Sequence, residues 1–351
     1  MFSQIYRILD VRLWLETDDI QVFERFDLDY RCFRASDPDD DRSETITDLR
    51  ARVRLSGSSP QLEFDGIVQP LSGHPHPQAH ALNLIVRELF GRVRAFVLVH
   101  ASVAVRNGRA VILSGDAGIG KTTLLLHLLR DRAFTFFSDD VCPLERTSGR
   151  VFPFPRTAWI RSEPEGDSAP LSGAKRPVVL DQILAGTALT PCRPGHVFLL
   201  AGDPPREIAI RVLLKRRATD DLISALSLAG AFVTDSQEED NCLVLRYPAG
   251  GRAGREVRRT LDRRADEIWS FTRIACDRPD FVRGPEVGEL GARELAFRLA
   301  SQLKNDVLIP DSLFSPGQIM FELASLLSGA KGYLVKTGRL ESVAELVVSL
   351  C

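Results

Sequence analysis

The segment Gly115-Asp116-Ala117-Gly118-Ile119-Gly120-Lys121-Thr122 reads GDAGIGKT and satisfies the pattern G-x-x-x-x-G-K-[ST] in full. Such a loop constrains the chain around it, because it works only when a strand delivers it and a helix leaves it. Its glycines let backbone N–H groups converge on phosphate oxygens, and the helix that follows adds the positive end of its dipole. The flanks meet both demands. Upstream, Ala110-Val111-Ile112-Leu113 is an apolar run suited to a buried strand. Downstream, Thr123 to Arg130 carries Leu124, Leu125, Leu126, Leu128 and Leu129, too apolar for a surface helix and right for one packed on a sheet. The pattern predicts an α/β core that binds a nucleoside triphosphate with magnesium. Lys121 would reach the terminal phosphates and the Thr122 hydroxyl would ligate the metal. The expected nucleotide contacts are Gly115, Asp116, Ala117, Gly118, Ile119, Gly120, Lys121, Thr122 and Thr123.

With 351 residues the chain suffices for about two domains, taking ~150 residues each. Its 45 basic and 47 acidic residues nearly cancel, for a net charge of −2, so nothing argues for a general nucleic-acid or membrane-surface role. The amino terminus, MFSQIYRILDVRLWLE, scatters charges among its apolar residues, unlike a signal peptide, and no run approaches the ~20 apolar residues of a membrane span. A cytoplasmic protein is expected. Cysteines at 32, 142, 192, 242, 276 and 351 stand singly, so reduced thiols are expected, with neither disulfide nor zinc.

Residues 1–94 read as a β-rich amino-terminal region, a candidate for substrate recognition. Alternation is clear in Val11-Arg12-Leu13-Trp14-Leu15 and Val53-Arg54-Leu55, and the acidic run Asp37 to Asp41 reads as a solvated turn. His80 to Phe90 carries a helical apolar face. His74, His76 and His80 cluster just ahead of it, but Pro75 and Pro77 interrupt them, so no metal site is assigned. The core spans 95–284. In it, apolar runs Phe96 to Val105 and Ala110 to Leu113 flank Arg106-Asn107-Gly108-Arg109, a hairpin signal feeding straight into the loop. Further strands are expected at Val197 to Ala201 and Ile208 to Leu214, with helices over Asp220 to Leu228 and over the arginine-rich Arg255 to Glu267, the latter read as a solvated face. Residues 285–351 read as a small α-helical appendage. Ser315-Pro316-Gly317-Gln318 starts one helix there and Gly329 stops it.

After the loop helix, Phe134-Thr135-Phe136-Phe137-Ser138 is β-prone and ends in Asp139-Asp140. Such a strand lying beside the loop-bearing one delivers both acids to the end of the sheet where open α/β folds place ligands. Adjacent residues on an extended chain point opposite ways, so the two carboxylates are expected to do different jobs. One would face phosphate and metal, the other the incoming nucleophile or a structural partner.

His100-Ala101-Ser102, GDAGIGKT at 115 to 122 and FFSDD at 136 to 140, taken together and in order, resemble HPr kinase/phosphorylase and the related bacterial serine kinases. In that family a histidine precedes the loop lysine by the interval found here (121 − 100 = 21), and a double aspartate follows on the next strand. Val151 to Arg156, VFPFPR, is similar to a proline-rich segment of the related kinases. The resemblance covers about residues 95 to 275. It implies a P-loop kinase core of the phosphoenolpyruvate-carboxykinase/HPr-kinase type using ATP and magnesium. By position, Asp140 would accept the proton of the substrate hydroxyl, Lys121 and the loop amides would hold the phosphates, and His100 would support Asp140 or the phosphate end. Asp139 joins Thr122 as candidate metal ligand.

The acceptor this implies is a Ser or Thr of a small protein or peptide, such as a ribosomally made peptide precursor; a homo-oligomer is compatible with the sequence. Thr123 stands where the family has Glu, the glutamate signature of the bifunctional enzymes is not recognisable, and Arg193-Pro194-Gly195 matches only a fragment of the element tied to dephosphorylation. Kinase activity without the reverse reaction is therefore expected. The same residues also suit a small-molecule kinase or regulatory ATPase, or a non-catalytic nucleotide-binding scaffold if Asp140 turns away from the phosphates.

Overall fold

Alternation writes the first strands directly. Phe2–Ile8 (β1) and Val11–Thr17 (β2) form an antiparallel pair, and every second residue of β2 is buried. Asp19 caps the helix that follows, Ile20–Tyr30 (α1), accepting a hydrogen bond from the Val22 amide at 3.0 Å, a cap of about 1 kcal/mol. Thr47–Arg54 (β3) then pairs parallel with β2, and Gln61–Phe64 (β4) and Ile67–Pro70 (β5) complete a five-stranded sheet in the order β1-β2-β3-β4-β5. Pro77–Arg92 (α2) covers it together with α1, burying Val22, Phe26, Tyr30, Ile85 and Leu89 against Leu13, Leu15 and Val53. The protein is seen here as a computed structural model that describes residues 1–35, 46–116, 118–131, 133–161, 175–178, 189–202, 207–216, 218–235, 241–248, 251–274, 284–303, 316–336 and 338–351. The acidic run at 37 to 41, Ala117, Cys276 and the Ser315 cap lie outside the described residues.

The apolar run from 96 to 105 is two strands rather than one. Phe96–Val99 (β6) pairs with Cys142–Glu145 (β10), whereas Ala101–Arg106 (β7) joins the main sheet, and His100 sits at the changeover. The expected hairpin is present: β7 pairs antiparallel with Arg109–Gly115 (β8) across Asn107 and Gly108, whose φ values of 51° and 71° are what a two-residue primed turn requires. β8 leads through the glycine loop into Lys121–Leu128 (α3), and Thr135–Ser138 (β9) returns alongside β7. β9 is therefore one strand removed from β8 rather than beside it, yet it runs in the same direction and ends at the same edge. A short ladder of Trp159–Arg161 (β11) and Lys175–Pro177 (β12) follows, then Arg193–Ala201 (β13), parallel to β8.

Two units partition the chain, one of Met1–Ile160, Arg176–Ala201 and Phe281–Cys351, the other of Arg161–Lys175 and Gly202–Asp280. The second unit holds Glu207–Leu214 (β14), Asp220–Leu228 (α4), Phe232–Asp235 (β15), Cys242–Pro248 (β16), Gly251–Arg263 (α5) and Ile268–Ile274 (β17). Its four strands are antiparallel in the order β15-β16-β14-β17, a split β-α-β topology of the ferredoxin-like kind. Ile208, Ile210, Val212, Leu243 and Leu245 pack against Leu222, Leu226, Val257 and Leu261 of its helices. On α5, Arg259 pairs with Glu256 at 2.8 Å on an exposed face, whereas just beyond it Arg264 pairs at 2.7 Å with Glu267, which is buried.

In the first unit the tail corrects the expected helical appendage. Glu286–Leu290 (β18) and Lys331–Lys336 (β19) are strands of the main sheet, whose order is β18-β19-β13-β8-β7-β9, and β19 lies parallel to β13. Ala292–Ala300 (α6) and Pro316–Leu326 (α7) cover one face of that sheet, with Leu295, Leu299, Ile319 and Leu323 against Ile112, Val197 and Leu199. Leu340–Leu350 (α8) and α3 cover the other, with Val343, Val347, Leu124 and Leu128 against Val111, Leu113 and Phe198. A strand buried on both faces reads as a continuous apolar run, as 110 to 113 does.

The boundary expected at residue 94 also gives way. Phe154 lies in the same core as the amino-terminal sheet, with its ring centroid 4.9 Å from that of Phe33 and 6.3 Å from that of Phe90. The two regions share one interior and form a single unit.

Candidate active site

Four strands of the main sheet, β9, β8, β13 and β19, run the same way, so their carboxyl ends gather at one edge. The glycine loop leaves β8 at that edge. Gly115, Gly118 and Gly120 have φ of 143°, 86° and 100°, a region that side chains with a Cβ avoid. At Gly115 a Cβ would stand 2.4 Å from the Leu200 carbonyl oxygen on the neighbouring strand. Gly115→Ala is therefore expected to destabilise the fold by about 1–3 kcal/mol, read as a lower urea midpoint with an unchanged slope.

Lys121 opens α3 and is only 7% exposed. Its Nζ donates to the carbonyl oxygens of Gly115 at 2.7 Å and Asp116 at 2.9 Å, which draws the ammonium back over the loop. Ile119 is partly buried against the core, Asp116 accepts from Gln302 Nε2 at 3.3 Å, and Thr123 is exposed on the first turn of α3.

Thr122 faces Asp139. Its hydroxyl lies 3.0 and 3.1 Å from the two carboxylate oxygens, and Ser102 donates to Oδ1 at 2.5 Å. Asp139 is 3% exposed, and burial raises its pKa; the Ser102 hydrogen bond opposes that shift, the Asp140 charge adds to it and the Thr122 hydrogen bond opposes it. A carboxyl whose folded pKa is raised contributes its stability below its unfolded value and loses it as pH climbs through the folded value. Asp139→Asn should consequently gain in urea midpoint over the parent chain as pH rises through the carboxylate range to neutrality. Equal midpoints at acid and neutral pH would contradict that assignment.

Asp140 diverges from Asp139 by a different route from strand alternation. Its φ is +71°, left-handed for a non-glycine residue, in a turn closed by the Ser138 hydroxyl donating to the Val141 carbonyl. Aspartate tolerates that region better than most residues. The turn aims the carboxylate at His100, whose Nδ1 is 3.0 Å from Oδ1 and 3.1 Å from the Asp140 carbonyl. Both neighbours are acceptors, so Nδ1 carries the proton. The His100 backbone is fixed in turn: its N–H donates to the Gln302 carbonyl at 2.6 Å, and its carbonyl accepts from Ser114 at 3.0 Å. The other Asp140 oxygen accepts from Arg156 Nη1 at 2.9 Å.

Arg156, Ser102, Ser114 and Gln302 carry no expectation from sequence. Arg156 and Ser102 do stand inside the VFPFPR and HAS segments that support the family resemblance, which was the available signal. Arg193 to Gly195 open β13 opposite Arg109, at the far end of β8 from the loop, so that fragment is not part of this site.

The donor set suits magnesium. A hydroxyl and a carboxylate are hard oxygen ligands, and this ion takes one or two carboxylates together with substrate phosphates in preference to an all-protein cage. No group of three His, Cys, Asp or Glu side chains able to hold a metal occurs among the described residues. His74 and His80 stack at 4.3 Å, and burial, then the neighbouring His80 and His76 charges, push the His74 pKa down to about 4.

Fold and site together define a mixed α/β protein with a glycine loop, a hydroxyl–carboxylate pair and a clamped second carboxylate at one sheet edge. No helix among the described residues is long and apolar enough to cross a membrane. No family model and no curated protein matches the chain. Among solved structures it is similar to the Hpr(Ser) kinase/phosphatase from Coxiella burnetii, with 21% identity over 30% of this chain and 66% of that one, at a TM-score of 0.23. A likeness at that score defines neither fold nor activity.

Proposed function

We propose that the chain is an ATP- and magnesium-dependent kinase that transfers the γ-phosphate to a Ser or Thr hydroxyl of a small protein or peptide. The observation that carries this reading is the convergence at one sheet edge of the loop lysine, the Thr122–Asp139 pair at 3.0 Å and Asp140 clamped by His100 and Arg156. Phosphoryl transfer needs charge neutralisation and alignment more than covalent chemistry, and these groups supply both.

In the proposed reaction the acceptor oxygen forms a bond to the γ-phosphorus, the bond from that phosphorus to the bridging oxygen breaks, and ADP leaves. The hydroxyl proton passes to the Asp140 carboxylate as the new bond forms. Lys121 and the loop amides hold the phosphates, and Thr122 and Asp139 would hold the magnesium, which supplies charge neutralisation when bound. His100 and Arg156 hold Asp140 in its orientation. The scaffold alternative required Asp140 to be turned away; its sharing of His100 with Ser114, the residue before the loop, argues against that.

Incubation with MgATP and the peptides and small proteins encoded beside the gene, followed by mass spectrometry, tests this. One added phosphate on Ser or Thr is expected, with no efficient return of label to inorganic phosphate as pyrophosphate. Hydrolysis of ATP with no labelled acceptor would favour a regulatory ATPase.

A further inference from the structure

Arg156 serves two carboxylates at once. Its Nη1 donates to Asp140 Oδ2 at 2.9 Å and its Nη2 to Asp29 Oδ2 at 3.0 Å. The remaining Asp29 oxygen accepts from the Trp159 indole at 2.7 Å. Asp29 sits in the last turn of α1, in the region expected only to recognise substrate, and it is 7% exposed. Thr157 anchors the same stretch by donating to the Leu28 carbonyl at 2.5 Å, and the Arg156 guanidinium lies 5.3 Å from the centre of the Tyr30 ring.

A guanidinium is a planar fork, so fixing one edge fixes the direction of the other. With Asp29 in place, the edge offered to Asp140 has one orientation. Without it, Arg156 keeps its charge but is free to turn. Asp140 depends on such support, because a left-handed backbone in a non-glycine residue costs on the order of 1 kcal/mol and persists only where its surroundings over-determine it.

We propose that Asp29 is a positioning residue of the phosphoryl-transfer site. Acting through Arg156, it sets the orientation of Asp140 and makes the amino-terminal helix part of the catalytic machinery. The inference rests on Asp140 as proton acceptor.

The full chain is assayed with saturating MgATP, water standing in for the hydroxyl acceptor and phosphate release being followed. Asp29→Asn keeps the size of the side chain and is expected to lower kcat about tenfold while the KM for MgATP stays within about twofold, the low end for groups that hold a contacting residue in place. Arg156→Ala should lower kcat at least as far, and adding Asp29→Asn to it should then cost less than about twofold, because the two act as one unit. If Asp29→Asn fails to fold, Trp159→Phe removes the indole donor to Asp29, together with part of the ring that Arg25 covers, and is expected to lower kcat about threefold with the same KM. Phenylglyoxal followed by peptide mapping adds a readout apart from turnover: Arg156 should be modified faster in Asp29→Asn than in the parent chain. Parent-like kcat in Asp29→Asn, or a tenfold loss that persists in the Arg156→Ala background, overturns the proposal. Asp140→Asn separates the two levels: if it is slow while Asp29→Asn is not, only this inference falls, and if it turns over normally, the reading of Asp140 falls with it.

Discussion

Replacing Lys121 with Ala is expected to weaken MgATP binding or turnover by about a hundredfold or more while the chain remains folded. The ammonium is the point charge of the loop, and removal of one donor to a developing negative charge in a water-poor site typically costs 10²–10³. The structure adds a detail to this expectation. Nζ is held 2.7 Å from the Gly115 carbonyl and 2.9 Å from that of Asp116, so the lysine also braces the loop it serves. Lys121→Met keeps the aliphatic stem and loses the charge. It should show the same loss of nucleotide affinity as Lys121→Ala, with a melting temperature closer to that of the parent chain. Calorimetric titration with MgATP, alongside circular dichroism, checks both variants; unchanged affinity and turnover in a folded Lys121→Ala protein would remove the nucleotide from this account.

Asp140→Asn is expected to bind MgATP nearly normally and to transfer phosphate about 10²-fold more slowly, the scale usual for acid–base groups. The amide keeps the size of the carboxylate and one acceptor oxygen, but it cannot take a proton. The geometry sharpens the contrast with its neighbour. Asp139 sits against the Thr122 and Ser102 hydroxyls, so Asp139→Asn should raise the concentration of magnesium needed for half-maximal turnover, whereas Asp140→Asn should leave that concentration unchanged. An Asp139→Asn variant with normal magnesium dependence and slow chemistry, beside an Asp140→Asn variant with normal chemistry, would mean that the two roles are exchanged.

The parts of the site written by contiguous residues were legible in the sequence. The loop, its flanking strand and helix, and the Asn107-Gly108 hairpin each follow from local rules: glycine where φ is positive, and apolar runs where a strand is covered on both faces. The pairing of His100 with Asp140 at 3.0 Å came from an interval shared with a family, since nothing in an apolar run containing one histidine shows that the strand changes ladders there. The divergence of the Asp139 and Asp140 side chains was expected from strand alternation, which is not what produces it. A turn with a left-handed Asp140 separates them, and adjacent acids do not by themselves show whether they end a strand or form a turn.

What stayed hidden was long-range. Asp29 and Arg156 lie 127 positions apart, and no periodicity links a helix end to a proline-rich segment. The tail strands were missed for a related reason. Glu286–Leu290 is an exposed, charged edge strand, and Lys331–Lys336 is a short run between helical patterns, so only pairing makes them strands: Lys331–Lys336 on β13, and Glu286–Leu290 on Lys331–Lys336 in turn.

In the proposed reaction this sheet edge moves a phosphate from ATP to a hydroxyl with Asp140 as proton acceptor. Its most direct test is transfer of label from γ-labelled MgATP to a peptide or small protein encoded beside the gene, with the labelled residue located by mass spectrometry and the parent chain compared with Asp140→Asn. One label per acceptor on Ser or Thr is expected, formed about 10²-fold more slowly by the variant although both bind MgATP alike. Label transferred at equal rates by the two chains, or a parent chain that binds no MgATP, would contradict it.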